Sequence, residues 1–429
     1  MKGEVSAPRG WVWSKVKYVA DFYTGWTPST GNKEFFEGSN LWANISDLGP
    51  KTLYDTAKQI SDQAVKQADI NISPEGSLLF SFKLSIGQVS FAGRSMYTNE
   101  AIATFPPQSG FNAKWAYWAL PVFVPLNADE NIYGAKLLNQ ELIRSAHILV
   151  PSPGEQTRIA NFLDEKTARI DALIAEKERL RVLVAEQFKA RLGTAVVEGL
   201  GQRGKRRLVP AIKKGFEAVR EDWALVPIKH IATAGGGMTP SKEREEFWGG
   251  AIPWVSPKDM KRFILHDSED HITDEAMGST SLRLHPVNSV LIVVRGMILA
   301  HTFPVAMNAV PVTINQDMKA LRTNSRMSAG YLAWMLRGLA PLMLSLTEES
   351  AHGTKALRTE QWGNQPVPVP CEEEQTQLVA QFRKWEREAT ELSAHLDQHI
   401  LLLREYRSSL ISAVVTGQLD IENFGRQVA

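Results

Sequence analysis

Gly25-Trp26-Thr27-Pro28-Ser29-Thr30-Gly31-Asn32-Lys33-Glu34-Phe35-Phe36-Glu37-Gly38-Ser39-Asn40-Leu41-Trp42 is the stretch on which the fold turns, because the chain writes it again 212 positions later. There it reads Gly237-Met238-Thr239-Pro240-Ser241-Lys242-Glu243-Arg244-Glu245-Glu246-Phe247-Trp248-Gly249-Gly250-Ala251-Ile252-Pro253-Trp254. Gly, Thr-Pro-Ser, Glu-Phe, Gly and Trp recur in one register. Trp11 against Trp223, Lys17 against Lys229 and Asp47 against Asp259 extend it outward in both directions. Identity at one fixed offset over such a span is the mark of an internal repeat.

Further along, the offset drifts as loops change length. Ser77-Leu78-Leu79 still answers Ser289-Val290-Leu291 at 212, and Thr98-Asn99-Glu100 answers Ile314-Asn315-Gln316 at 216. Gly134-Ala135-Lys136 answers Gly353-Thr354-Lys355, Glu155-Gln156-Thr157 answers Glu374-Gln375-Thr376, and Ala195-Val196-Val197 answers Ala413-Val414-Val415. A period of this length is too long for a solenoid and describes a duplicated two-part unit.

Each unit opens as a compact α+β domain. Val16, Val19 and Phe22 are spaced by three, as in a short helical or irregular opening. The apolar runs Ser77 to Phe82 and Ser289 to Val294, bounded by Gly, Pro or Asn, predict buried strands. Each unit closes with a long helix. Ser152-Pro153-Gly154-Glu155 forms a capping box with Pro at the first helical position, and Gly199 stops the helix after Glu198. The second helix starts on Glu372-Glu373-Glu374, whose carboxylates suit the positive helix end, and stops at Gly417. Its apolar residues Leu378, Phe382, Trp385, Ala389, Leu392, Leu396, His399, Leu403, Tyr406 and Leu410 step by four and three, as in a coiled-coil seam. The first helix follows more loosely through Ile159, Leu163, Ile170, Leu173, Leu180 and Val184. Each seam needs a partner, and the nearest is the other.

Composition sets the class. With 44% hydrophobic and 22% charged residues in 429, the chain is that of a globular protein with more than one core. The only cysteine, Cys371, excludes an internal disulfide and a cysteine-rich zinc site, and reads as a reduced, inert thiol. The opening residues Met1 to Ser6 lack the apolar core of a signal peptide, and no apolar run is long enough for a membrane span; a cytoplasmic location is expected. Net charge is only +1, and residues 1–150 and 222–370 are each balanced. Any nucleic-acid-facing charge must come from placement rather than totals. The surplus of basic residues lies in 199–221, including Lys205-Arg206-Arg207 and Lys213-Lys214, which reads as a solvated linker or a phosphate contact.

Motifs for catalysis fail on context. Gly199-Leu200-Gly201-Gln202-Arg203-Gly204-Lys205-Arg206 resembles two phosphate-binding signatures, but it follows a helix rather than a strand and has Arg206 where a P-loop has Ser or Thr. The only Pro-Pro, in Phe105-Pro106-Pro107-Gln108, lacks the flanks of an adenine methyltransferase. His147, His230 and His285 are isolated, and no metal-ligand spacing is present. The sequence contains no recognisable active site.

Taken together, the duplicated Thr-Pro-Ser with its downstream Trp, the paired Glu-Gln-Thr helix openings, and the helix ends Val196-Val197-Glu198-Gly199 and Val414-Val415-Thr416-Gly417 resemble the specificity subunits of type I restriction–modification enzymes. The resemblance covers nearly the whole chain. It implies two pseudo-repeated α+β target recognition domains joined by two long antiparallel coiled-coil helices, with approximate internal two-fold symmetry. The expected divisions are 1–151 for the first recognition domain, 152–199 for the central helix, 200–222 for a basic linker, 223–370 for the second domain and 371–429 for the C-terminal helix and tail. It implies no catalysis by this chain, and a bipartite, asymmetric target on double-stranded DNA. It also implies that the helices act as a ruler and dock two copies of the methylation subunit, with restriction and motor subunits beside them. Those partners would use S-adenosylmethionine, ATP and magnesium, and this chain no cofactor. A coiled-coil scaffold without DNA recognition is the alternative.

For DNA contact, polar and basic residues in the repeated loops are the candidates. Lys83 aligns with Arg295, and Lys136 with Lys355; such side chains bond guanine or clamp phosphate. Asn99 and Gln316 are amides able to read adenine. Thr27, Ser29, Thr239 and Ser241 belong to a backbone turn, a phosphate contact, or both. Trp42 and Trp254 read as core.

Overall fold

The computed structural model describes residues 7–68, 70–130, 132, 134–200, 206–208, 218–349 and 354–424. The chain divides into two compact units, 1–177 with 398–429, and 178–397, so that each long helix contributes one portion to each unit.

The units repeat one another strand for strand. In the first, a five-stranded sheet runs in the order Tyr23–Thr24, Ile102–Phe105, Leu78–Ser81, Val89–Ala92, Thr52–Leu53. In the second, the order is Ala232–Gly236, Met318–Thr323, Val290–Val293, Val305–Asn308, Ile264–Leu265. Pairing is antiparallel throughout except at the last strand of each sheet, which is parallel. The central strands, Leu78–Ser81 and Val290–Val293, are the predicted apolar runs. All four residues of each are buried, as strands covered on both faces must be. A three-stranded mixed sheet flanks each: Lys58–Ile60, Asn40–Ala43 and Tyr97–Thr98 in one unit, and Asp270–Ile272, Trp248–Val255 and Thr313–Ile314 in the other. A ribbon of Val12–Lys15 with His147–Val150, and of Ala224–Pro227 with Pro366–Val369, closes each domain against its helix.

The long helices run Pro153–Glu198 and Glu372–Val415. Ser152 and Glu155 form the expected capping box, with the Ser152 N–H and hydroxyl donating to the Glu155 carboxylate at 3.1 and 2.7 Å. Gly199 and Gly417 take the left-handed conformation that stops each helix, with φ of +79° and +71°. Within the first unit, Ile159, Leu163 and Ile170 share a core with Leu410 and Val414. Within the second, Leu192 and Val196 share one with Leu378 and Phe382. In both units the early part of one helix meets the late part of the other, so the pairing is antiparallel.

The seam differs from the sequence expectation in phase. Leu173, Leu180 and Leu392 are 46%, 43% and 47% exposed and lie outside it; His399 and Tyr406 are also exposed. Ile400 and Val184 are buried, while Trp385 and Leu403 are half-buried and Leu396 is fully so. The covered residues of the second helix run 378, 382, 385, 389, 393, 396, 400, 403, 407, 410, 414, which keeps steps of four and three but takes four twice in succession, from 385 to 389 and from 389 to 393. Past residue 389 the expected and covered positions coincide at 396, 403 and 410 and differ by one elsewhere, with 393, 400 and 407 covered in place of 392, 399 and 406.

The stretch expected as a basic linker contains a short antiparallel ribbon, Arg206–Leu208 with Ala218–Arg220. Arg220 pairs with Asp222 at 2.7 Å and with Glu374. Gly201 to Lys205, Lys213 and Lys214 lie outside the described residues, as does Gly353. Gly199 follows a helix, so the phosphate-binding reading of this segment has no strand before it. Cys371 is exposed and free. Among the described residues, no group of His, Cys, Asp and Glu could hold a metal, and no helix is long and apolar enough to cross a membrane.

Candidate nucleic-acid interface

The repeated motifs build the frame on which the loops stand. A Cβ on Gly25 or Gly237 would collide with the carbonyl oxygen of Thr98 or Ile314. Only glycine permits that approach, and it brings the next N–H, of Trp26 or Met238, onto the same carbonyl at 2.9 and 3.0 Å. The buried indoles of Trp42 and Trp254 then donate to the carbonyls of Trp26 and Met238 at 2.9 and 3.0 Å. The Thr27 hydroxyl bonds the Glu100 carboxylate, and the Thr239 hydroxyl donates to the Gln316 side-chain oxygen at 2.6 Å. Pro28 and Pro240 are buried, leaving Ser29 and Ser241 exposed at the tip. The Thr-Pro-Ser element is thus a braced turn, with the serines as its outward polar groups.

The Glu-Gln-Thr openings fasten each domain to its helix. Trp11 and Trp223 donate their indole N–H to Glu155 and Glu374 at 3.2 and 2.9 Å. Burial alone would raise the Glu155 pKa. The bonds from Ser152 and Trp11 and the charge of Arg158 outweigh it and hold the carboxyl below its ordinary value. Gln156 is buried, accepts from the Asn112 N–H at 2.8 Å and donates to the Pro151 carbonyl at 3.0 Å. Gln375 does the same for Ser328 and Pro370 and adds the Arg326 carbonyl. Asn112 and Ser328 cap the helices Ala113–Phe123 and Ala329–Gly338, so one amide locks a domain helix to a long helix in each unit.

Of the candidate DNA-contacting residues, Arg295 and Lys355 are brought together. Arg295 bridges Ala356 in antiparallel fashion, and the Gly296 N–H donates to the Lys355 carbonyl at 3.0 Å. Both cations face carboxylates. Lys355 lies 2.8 Å from Glu349, Arg358 lies 2.8 Å from Glu348, and Arg295 lies 3.9 Å from Asp317. The Lys355 hydrogen bond holds the Glu349 carboxyl below its usual value and therefore ionised. A phosphate approaching Lys355 competes with Glu349, which weakens that residue's pull on nucleic acid, whereas Arg295 is exposed and only loosely paired. Lys83 and Lys136 are exposed, one in the loop after the central strand and the other in the hairpin Asp129–Glu130 with Lys136–Leu137.

Asn99 and Gln316 are not equivalent positions. Asn99 corresponds to Asn315, and each turns back on its own backbone, accepting from Ala101 N–H and Asp317 N–H at 3.1 Å. Gln316 corresponds to Glu100 at the same offset of 216. The Asn99 oxygen is engaged in a turn. Gln316 receives the Thr239 hydroxyl on its oxygen, which leaves the amide NH2 of an exposed side chain pointing away from that bond.

With this geometry in view, comparison with known proteins is decisive. A family model described as the type I restriction modification DNA specificity domain matches residues 8–181 and again 220–402. The chain belongs to this family. As a specificity subunit it carries the DNA sequence-recognition role and is not a catalytic component. The EcoR124I/EcoR124II specificity subunit of Escherichia coli is 36% identical over 182 residues, spanning 41% of this chain and 45% of that relative. The MjaIX specificity subunit of Methanocaldococcus jannaschii is 22% identical over 429 residues, spanning 97% of this chain and 95% of the relative. Among solved structures, a chain from work on complex assembly and conformational transition of the type I R-M system superposes with TM-score 0.71 at 15% identity, covering 96% of this chain and all of that one. The HsdS subunit of Thermoanaerobacter tengcongensis gives 0.56 at 14% identity over 97% of this chain and all of that one. At these identities the structural matches establish the fold.

Proposed function

We propose that this specificity subunit reads a bipartite, asymmetric site on double-stranded DNA, one half by each α+β domain. The observation that carries the reading is the duplication itself. The same sheets, brace and helix anchor occur twice, whereas the side chains on the outward loops differ: Lys83 against Arg295, Ser29-Thr30 against Ser241-Lys242. Conserved frames with divergent loops are the arrangement expected of two readers of different bases.

The long helices are the proposed docking surface for two copies of a methylation subunit, with restriction and motor subunits beyond them. S-adenosylmethionine, ATP and magnesium would be bound by those partners and not by this chain. The assembly would work in the cytoplasm. Exposed apolar side chains on the helices, Leu173 in the first unit and Leu180, Val182, Leu183 and Leu392 in the second, support a role for the helices in binding protein.

A test is to purify the chain with its methylation subunit and measure binding to the duplex that the host genome shows to be methylated, against an unrelated duplex, over a range of salt. Target binding at least a thousandfold tighter than unrelated duplex, falling steeply with salt, is the expected result. Equal affinity for both duplexes would refute the reading and leave a protein scaffold.

A further inference from the structure

The hairpin loop leaving the central strand of each domain presents an apolar side chain to solvent next to a cation. In the first unit the loop joins Leu78–Ser81 to Val89–Ala92, and its base is fixed. Phe82 is buried and Ile86 half-buried; the Gly87 N–H donates to Ser81 O at 2.9 Å, and the Ser81 hydroxyl bonds the Ser85 carbonyl while accepting the Gln88 N–H. Between those anchors Lys83, Leu84 and Ser85 stand outward. Leu84 is 93% exposed and sits at φ +57°.

A left-handed backbone is sterically disfavoured for any residue with a Cβ. The second unit supplies the internal control. At the same register, 212 residues on, the backbone is again at positive φ, +136°, and the residue is Gly296. The repeat therefore demonstrates that glycine is compatible with this position, yet the first domain carries a leucine whose side chain touches almost nothing in its own chain. Strain and exposure together, with no compensation inside the molecule, point to a contact outside it.

The second domain has the same ingredients one residue displaced. Arg295 precedes Gly296, and Met297 follows it, 62% exposed. This loop is also held at its base, by the Gly296 N–H to the Lys355 carbonyl and the Leu357 N–H to the Val294 carbonyl at 2.8 Å, with Leu299 buried. Each domain thus offers an exposed cation and an exposed apolar side chain from the same hairpin, Met297 being more exposed than its neighbour Ile298.

We infer that these hairpins enter the DNA groove, and that Leu84 and Met297 read base edges in the first and second half-sites. The inference rests on the two units being DNA recognition domains. Charge complementarity favours a duplex over a protein surface, because Lys83 and Arg295 flank the apolar residues and phosphates line the groove on both sides. On the major-groove edge of the base pairs, the apolar group available to such a side chain is the thymine C5-methyl. Leu84 and Met297 therefore act as thymine-methyl contacts, and Lys83 and Arg295 hold the neighbouring phosphate or guanine.

The experiment uses the full chain with its methylation subunit and the duplex defined by mapping methylated bases, with deoxyuridine replacing thymine one position at a time. Leu84→Gly is the variant of choice, since the twin domain already carries Gly there and folding is not at risk. The expected outcome is a roughly tenfold loss of target affinity for Leu84→Gly, with unrelated duplex bound as before. One deoxyuridine in the first half-site should weaken the wild type by a similar factor and leave Leu84→Gly unaffected. Met297→Ala should behave likewise for the second half-site. Full affinity and unchanged uracil sensitivity in Leu84→Gly would overturn the inference, as would a wild type indifferent to every deoxyuridine. Loss of assembly with the methylation subunit, at unchanged discrimination between duplexes, would assign Leu84 to a protein contact instead. A wild-type complex that fails to prefer its target would show that the recognition reading itself is wrong.

Discussion

Replacing Gln156 by Met tests whether the buried amide fastens the first recognition domain to its helix. Methionine matches the length of glutamine but neither donates nor accepts a strong hydrogen bond. The change leaves the buried Pro151 carbonyl and the half-buried Asn112 N–H without the partners they have at 3.0 and 2.8 Å. Unpairing a buried polar group costs about 1–3 kcal/mol, and the half-buried N–H about 1 kcal/mol, since water can reach it. Burial of the apolar side chain returns about 1 kcal/mol, so the net loss is ~1–3 kcal/mol. In a unit of this size each kcal/mol moves the melting temperature by about 2–4 °C, and the fall should amount to several degrees. Because Asn112 caps the helix Ala113–Phe123, hydrogen exchange should rise in that helix first. Gln375→Met removes one bond more, at the Arg326 carbonyl, and should destabilise the second unit further while leaving Ala113–Phe123 protected. Calorimetry with hydrogen-exchange mass spectrometry separates the two variants. If Gln156→Met melts within a degree of the wild type with Ala113–Phe123 equally protected, the amide is not the fastening.

Other consequences follow from the frame and the composition. Gly237→Ala places a Cβ against the Ile314 carbonyl and should prevent folding of the second domain, whereas Gly278→Ala, with open space around it, should express normally; soluble yield and circular dichroism distinguish them. His285, buried beside Gly236 and near Arg283, has its pKa lowered first by burial and then by that arginine, so the folded domain favours the neutral ring. Its contribution to stability is present above the ordinary value of 6.5 and declines as pH falls below it, levelling off under the lowered folded-state value. Denaturant midpoints measured from pH 7.5 downward should show that loss in the wild type and a flatter profile in His285→Gln. The purified chain, incubated alone with labelled S-adenosylmethionine and DNA, should incorporate no methyl groups, and addition of the methylation subunit should restore transfer; methylation by the chain alone would contradict its role as a specificity subunit.

The frame was legible because local chemistry dictates it. Leu78–Ser81 and Val290–Val293 read as buried strands from their bounded apolar runs, and Ser152 with Glu155 as a helix start, and the structure has both. The repeat exposed the brace as well, since Gly25, Thr27, Pro28 and Trp42 return together, although that Thr27 bonds Glu100 is a fact of tertiary proximity. The seam was displaced by one at alternate positions because apolar residues such as Leu392 and Tyr406 fit the four-three spacing yet are exposed, while the polar Ser393 and the aliphatic stem of Arg407 are covered instead. Which loops approach one another was not legible. Arg295 and Lys355 are 60 positions apart, and backbone pairing of 294–296 with 355–357 joins them. The strain at Leu84 was equally hidden, for a leucine in sequence carries no sign of its φ.

The central claim, that two structurally duplicated domains read separate half-sites, is tested most directly by replacing residues 223–370 with the corresponding domain of another family member and sequencing the methylated bases of the host genome. The expected motif has one half changed and the other as in the wild type, with methylation still efficient. A motif altered in both halves at once, or unaltered in either, would contradict it.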